Sequence, residues 1–201
     1  MQPEKKDGFY AYLKDQFAPF KSFFGFVAEI TKIVVISLAI ILPIRYFLIQ
    51  PFYVKGASME PTFYTHDYLI VNEIGYRLND PERGDIVIFR YPKDPSQYFI
   101  KRIIGLPGER VVVGDNKVTI YNEEYKDGLL LKEDYLSPDE VTNLNLDIHL
   151  QDDKYIVLGD NRDESLDSRN FGSVPRKNII GKVWLRGWPF TRFGTMEKAI
   201  Y

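Results

Sequence analysis

Ser58 lies in the segment KGASMEPTFY (Lys55–Tyr64), with Gly56 before it and Pro61 after it. A serine among glycine and proline reads as turn chemistry, because those residues suit a tight bend. It also reads as a nucleophile if a base stands nearby, since a serine hydroxyl is far from ionised at neutral pH. A histidine triad would have to use His66 or His149. His66 sits beside Asp67 in THDY, which reads as a turn into the next strand, and His149 lies far along the chain. The other candidate base is Lys101. A lysine can take a proton only if burial holds it neutral, because its ordinary pKa is about 10.4. YFIKRIIG surrounds Lys101 with Phe99, Ile100, Ile103 and Ile104. As a strand it would put Phe99 and Ile103 on the lysine's face and Ile100 and Arg102 on the other. The same pattern suits an edge-strand lysine that discourages aggregation. On spacing alone, turn or nucleophile stays open for Ser58, and edge charge or base for Lys101.

The elements that must position these residues are mostly strands. From Phe52 onward, YLIVNEI (Tyr68–Ile74), DIVIFRY (Asp85–Tyr91), YFIKRIIG (Tyr98–Gly105), RVVVGDNKVTIYNEEY (Arg110–Tyr125), KYIVLGD (Lys154–Asp160) and IIGKVWLRGW (Ile179–Trp188) are rich in β-branched and aromatic residues. Gly114-Asp115-Asn116 between two such runs reads as a hairpin turn. No long helical alternation separates the strands, which argues against a parallel βαβ sheet. The expectation is a mostly β fold: an antiparallel β-sheet domain at 47–201, with an acidic, less regular, strand-poor insertion at about 126–153.

Ahead of it stands IVVISLAIILPI (Ile33–Ile44), broken only by Ser37 among its polar types. Extended to Val27–Tyr46 the stretch would make about 30 Å of helix. Glu29, Lys32 and Arg45 fall towards its ends, where long cationic side chains reach the headgroups, and Glu29 and Lys32 can pair at i,i+3. A cleavable leader would put its apolar region nearer the start, with a small-residue cleavage site behind it. The expected organisation is therefore a cytoplasmic N-terminal segment (1–26), an uncleaved transmembrane helix (27–46) and an extracytoplasmic domain. Lys14 and Lys21 before the span, against Lys55 after it, tilt the orientation the same way.

Composition removes other classes. Lys+Arg of 26 against Asp+Glu of 28 gives a net charge of −2 and no basic stripe for nucleic acid. Cysteine is absent, which excludes disulfides and thiolate metal sites, and the two histidines lack metal-ligand spacing.

GASMEPT (Gly56–Thr62), RGDIVIF (Arg83–Phe89), KRIIGLPG (Lys101–Gly108) and GDNRDESLDSRNFG (Gly159–Gly172) resemble the signature blocks of the bacterial type I signal peptidases, the leader peptidases. They occur in that family's order, behind an apolar anchor followed by QPFYV. The resemblance implies that Ser58 is the nucleophile, Lys101 its general base and Ser165 the serine that orients the lysine. It implies that Asp167 and Arg169 support the site, and that Phe52, Val54, Met59, Phe99 and Ile100 line shallow pockets for small side chains. Where some members carry a second hydroxyl two places before the nucleophile this chain has Gly56, so the oxyanion donors beyond the Ser58 backbone N–H stay unassigned.

The activity so implied is a membrane-anchored serine endopeptidase that needs no cofactor or metal. It cleaves signal peptides from exported preproteins after small residues in an Ala-X-Ala-like pattern. Its partners are those signal peptides, the phospholipid of the bacterial cytoplasmic (inner) membrane that it spans once and, as an open point, the secretion translocon; nucleic acid is not among them. Two alternatives stand beside it. A self-cleaving Ser-Lys repressor-type protease would need a DNA-binding helical region where this chain has its apolar stretch. A non-catalytic membrane-tethered peptide-binding β module would share the groove and lack turnover.

Overall fold

In the computed structural model of the chain, residues 6–43, 49–142 and 144–201 are described. They belong to two compact units, Met1–Tyr46 and Phe47–Tyr201.

The first unit is a single helix, α1 (Lys6–Pro43). It starts well before the expected span, through a stretch whose Lys, Ala, Leu and Gln favour helix. Within it Gly25–Leu42 has a mean hydropathy of 2.2 and is 0% buried, so by length and composition it can cross a membrane. Thr31 returns its hydroxyl to the Val27 carbonyl at 2.8 Å, which satisfies its polar group inside the helix itself. Residues 44–46 of the expected span lie outside the described residues.

The second unit is built from antiparallel strands. The larger sheet runs in the order β1 (Ile49–Tyr53), β2 (Tyr68–Asn72), β11 (Ile179–Trp188), β3 (Ile86–Tyr91), β4 (Asp94–Gly105), β9 (Lys154–Leu158), β10 (Val174–Pro175), with β12 (Gly194–Thr195) paired to β11. The smaller sheet runs β7 (Leu129–Leu130), β6 (Lys117–Tyr121), β5 (Arg110–Gly114), β8 (Leu146–His149). Two short α-helices, α2 (Gly75–Leu78) and α3 (Ser168–Phe171), and two 3-10 turns, Arg176–Asn178 and Phe190–Arg192, complete it among the described residues.

At β3 the large sheet is buried on both faces, which explains the unbroken apolar run of that strand. Ile86 and Ile88 pack with Val54, Met59, Phe63, Leu69 and Val71, whereas Val87 and Phe89 pack with Ile103, Tyr155, Val157 and Val174. A third cluster seals the small sheet onto β4 and β9: Val111, Val113, Val118 and Ile120 meet Ile104, Ile156 and Leu158.

One alternative closes here, and one expectation gains detail. β4 is hydrogen-bonded on both sides, with Val87 of β3 opposite Lys101, so Lys101 stands on an interior strand and is not an edge lysine. The 126–153 segment is largely irregular, yet it supplies β7 and β8 to the small sheet and buries Leu131 and Leu150. Strands of two and four residues are too short to show a periodic pattern in the sequence. The β5–β6 hairpin forms as expected: Gly114 pairs with Lys117, and Asp115 and Asn116 take φ of 50° and 60°, the left-handed pair that a two-residue turn of matching twist requires.

Candidate active site

Ser58 sits in the loop that joins β1 to β2. The loop continues the strand ladder through Val54 N–H to Asp67 O (2.9 Å) and His66 N–H to Val54 O (3.0 Å), then turns at Gly56, whose φ of +101° suits glycine. Met59 and Phe63 anchor the turn in the core, leaving Ser58 half-buried at the surface of a cavity of about 590 Å3. From β4, Lys101 reaches into the same place. Its Nζ lies 2.7 Å from Ser58 Oγ and donates to the Ile100 carbonyl at 2.8 Å. Lys101 is only 3% exposed. Burial pushes its pKa from 10.5 down to about 8; Asp167 and Asp160 pull it upward, and Arg169 adds to the fall. Burial prevails because both carboxylates are already committed to arginines.

Those commitments form the frame of the site. Arg102, next to Lys101, donates to both oxygens of Asp160 at 2.9 and 2.6 Å, and both side chains are buried. Asp160 also accepts the Thr62 hydroxyl at 2.5 Å, which ties the serine's loop to the lysine's strand. Asp167 caps α3, accepts the Gly159 N–H at 3.0 Å and pairs with Arg169 through two nitrogens at 2.9 and 2.8 Å. The Asp167–Arg169 pair is therefore buried rather than a solvated loop contact, with side-chain exposures of 0% and 1%. Asn161 N–H donates to the Ser58 carbonyl at 3.2 Å, locking the loop that follows β9 onto the serine.

Ser165 is placed next to this arrangement without joining it: its Oγ is buried, has no hydrogen-bond partner among the described residues, and packs on Gly159. The cavity beside Ser58 and Lys101 is lined by Phe52, Val54, Phe99 and Ile100, together with Leu69 and Ile88. Met59 does not line it; it is 1% exposed and belongs to the core beneath, where its long flexible side chain fills the space under the turn. His66 is exposed at φ 78° against the Tyr53 ring, and His149 lies on β8 of the small sheet.

A neutral amine in hydrogen-bond contact with a hydroxyl, at the mouth of an apolar cavity, can accept that hydroxyl's proton and make it a nucleophile. A family model described as signal peptidase, peptidase S26, matches residues 27–188. The chain belongs to this family. It is 40% identical over 174 residues to the signal peptidase I of Leptolyngbya laminosa, covering 82% of this chain and 81% of that protein. It is 33% identical over 172 residues to signal peptidase IB of Staphylococcus aureus (strain Mu50 / ATCC 700699), covering 80% of this chain and 88% of the other. A crystal structure of a signal peptidase I from Enterococcus faecalis V583 is 33% identical, with a TM-score of 0.44, and covers 52% of this chain and 97% of its own.

For a member of this family, Arg102, Asp160, Gly159 and Arg162 are the site residues that reading the sequence left without roles. Arg102 follows Lys101 directly, and the other three stand in the GDNRDES run, so the signal was adjacency within recognised blocks. Nothing in the linear order showed that Arg102 and Asp160, 58 residues apart, would be partners.

Proposed function

We propose that this signal peptidase is anchored in the membrane by α1 and cleaves signal peptides with Ser58 as nucleophile and Lys101 as general base. The observation that carries the reading is the 2.7 Å contact between Lys101 Nζ and Ser58 Oγ, made by an amine that is 3% exposed and held near a pKa of about 8. Neutral Lys101 takes the Ser58 proton as Oγ attacks the scissile carbonyl. The Ser58 backbone N–H, which makes no hydrogen bond within the protein among the described residues, is free to face the developing oxyanion. Protonated Lys101 then gives its proton to the leaving amine, and the neutral Lys101 so regenerated takes a proton from the water that hydrolyses the acyl-enzyme. Asp167 and Arg169 hold the loop behind the amine, and Ser165 is the nearby hydroxyl that orients it once substrate tightens the site.

The apolar cavity takes small side chains at the first and third positions before the cut, which alternate onto one face of an extended peptide. Gly25–Leu42 crosses the bacterial inner membrane with the N-terminus in the cytoplasm, and the 47–201 domain acts outside on preproteins leaving the translocon.

The test uses purified full-length chain in detergent with a preprotein, cleavage being read by mass. Wild type is expected to cut after the Ala-X-Ala-like site, and folded Ser58→Ala and Lys101→Arg proteins to bind the preprotein without cutting. Arginine keeps the charge, but its guanidinium does not give up its proton in proteins. Near-normal turnover by folded Lys101→Arg would end the mechanism. Binding without cleavage by wild type would favour a peptide-binding module.

A further inference from the structure

The segment 126–153 lines no part of the cavity beside Ser58. It does grip the loop that carries Asp160 and Asp167, and the grip centres on Arg162. That side chain is 0% exposed. A guanidinium offers five N–H donors, and a buried one left unpaired is costly. Here all five are used. Nε donates to the Gly159 carbonyl at 2.9 Å; Nη1 donates to Glu133 at 3.0 Å and to the Thr142 hydroxyl at 3.0 Å; Nη2 donates to Glu133 at 2.5 Å and to the Tyr135 hydroxyl at 3.2 Å. Glu133, Tyr135 and Thr142 all belong to the 126–153 segment.

Further contacts point the same way. Glu140 accepts the Asp163 N–H at 3.1 Å. The Arg102 guanidinium lies over the Tyr135 ring at 4.0 Å, and Tyr201 OH meets Tyr135 OH at 3.1 Å. On the loop's inner side, Arg169 donates to the Arg162 carbonyl at 2.6 Å and Asn161 N–H to the Ser58 carbonyl. A continuous chain of contacts thus runs from Glu133 through Arg162 to Gly159, and through Asn161, the residue before Arg162, to the serine's backbone.

The geometry points to a role for this segment as the outer jaw of the active site, with Glu133 as a positioning residue. Glu133 fixes Arg162, Arg162 fixes the 159–167 loop, and the loop sets where the Ser58 backbone and the surroundings of Lys101 stand. The apolar lining of the cavity, Phe52, Val54, Leu69, Ile88, Phe99 and Ile100, stands on or beside β1 to β4, and the loop adds only Glu164 and Leu166 to it, so loosening the jaw impairs the chemical step more than substrate binding. A looser loop also admits water to Lys101. Burial is the main cause of its lowered pKa, so the amine then moves back towards 10.5.

This inference rests on the proposed Ser58–Lys101 reaction, and the experiment separates the two. Glu133→Gln keeps the size and removes the charge, and Thr142→Val keeps the shape and removes one bond. For full-length Glu133→Gln, confirmed folded by circular dichroism, kcat is expected to fall between about tenfold and a hundredfold, as for a slightly misplaced site. KM should stay within about twofold, and the alkaline rise of kcat should move to higher pH. Thr142→Val should show the same pattern more weakly. Glu133→Asp should recover part of the loss, because it restores a carboxylate opposite Arg162. Amide hydrogen exchange should quicken over 159–167 while β3 and β4 stay protected. Unchanged kcat, pH midpoint and loop exchange in folded Glu133→Gln would overturn the proposal, as would a lowered melting temperature with no change in any of the three. If wild type itself fails to cleave, the reaction falls and the exchange pattern still decides the jaw.

Discussion

A β-carbon on Gly159 would collide with the carbonyl oxygen of Ser58. The Ser165 hydroxyl closes the other side of the same space, so the two serines approach each other only across a residue without a side chain. Gly159→Ala must push the Ser58 backbone outward, and overpacking of this kind costs about 1–3 kcal/mol. Cleavage is expected to drop by at least about a hundredfold, since misplacement of about 1 Å is enough for that. Steady-state kinetics with a urea melt checks it, and full activity at reduced stability would show that the close approach serves packing alone.

Lys101 binds its proton less readily in the folded chain, near pH 8, than in the unfolded one, near 10.5. Activity should therefore rise with pH through about 8. Below that value the buried charge costs roughly 3 kcal/mol of stability, a cost that fades as pH climbs to the unfolded value. Lys101→Met should accordingly be inactive yet more stable than wild type at pH 6, with the gap closing towards pH 10. Burial also raises the pKa values of Tyr76, Tyr135 and Tyr201, so both proteins lose stability alike at still higher pH and the difference between them reports Lys101. Urea titrations at several pH values measure it; a gap that widens with pH would contradict the assignment.

Asp160→Ala leaves Arg102 buried without its carboxylate and frees the Thr62 hydroxyl. Breaking a buried pair in this way costs about 3–5 kcal/mol. The variant should melt far below wild type, and a cost under about 1 kcal/mol, the range of exposed pairs, would mean that the frame is not closed in solution.

A preprotein with phenylalanine in place of alanine just before the cut should be processed about tenfold to a hundredfold more slowly, the rate equivalent of about 1–3 kcal/mol of overpacking. Ile100→Ala enlarges the cavity and should narrow the gap between the two substrates. Equal rates for both substrates on wild type would refute the cavity as the specificity site.

Protease added outside intact spheroplasts should cut within 126–153, where Lys126 and Asp127 are exposed. Protection of that segment until the cells are lysed would reverse the proposed orientation.

The strands could be read from the sequence because β-branched runs such as Ile86–Phe89 are buried on both faces and carry an unbroken apolar signal. Ser58 and Lys101 could be singled out as candidates because their blocks keep a fixed order. The frame around them could not. Arg102, Asp160 and Arg162 are charged, and charged residues are expected at the surface unless partners bury them. Their partners stand 58 and 29 residues away, which no local pattern reports. Met59 lies in the core and not along the cavity, and a core methionine and a pocket methionine look alike in a sequence.

The serine's loop hangs from β1 and β2, and the lysine stands on β4 beside β3. Between β2 and β3 lies β11, the last long strand to be synthesised. A chain emerging in order thus carries Ser58 and Lys101 early, on two half-sheets with no ladder joining them. Until residues 179–188 slide between the halves, no strand ladder links the serine's half to the lysine's. Assembly of the proposed catalytic pair is therefore expected to wait on the arrival of a strand that contains neither residue, and a nascent chain halted before β11 should not cleave.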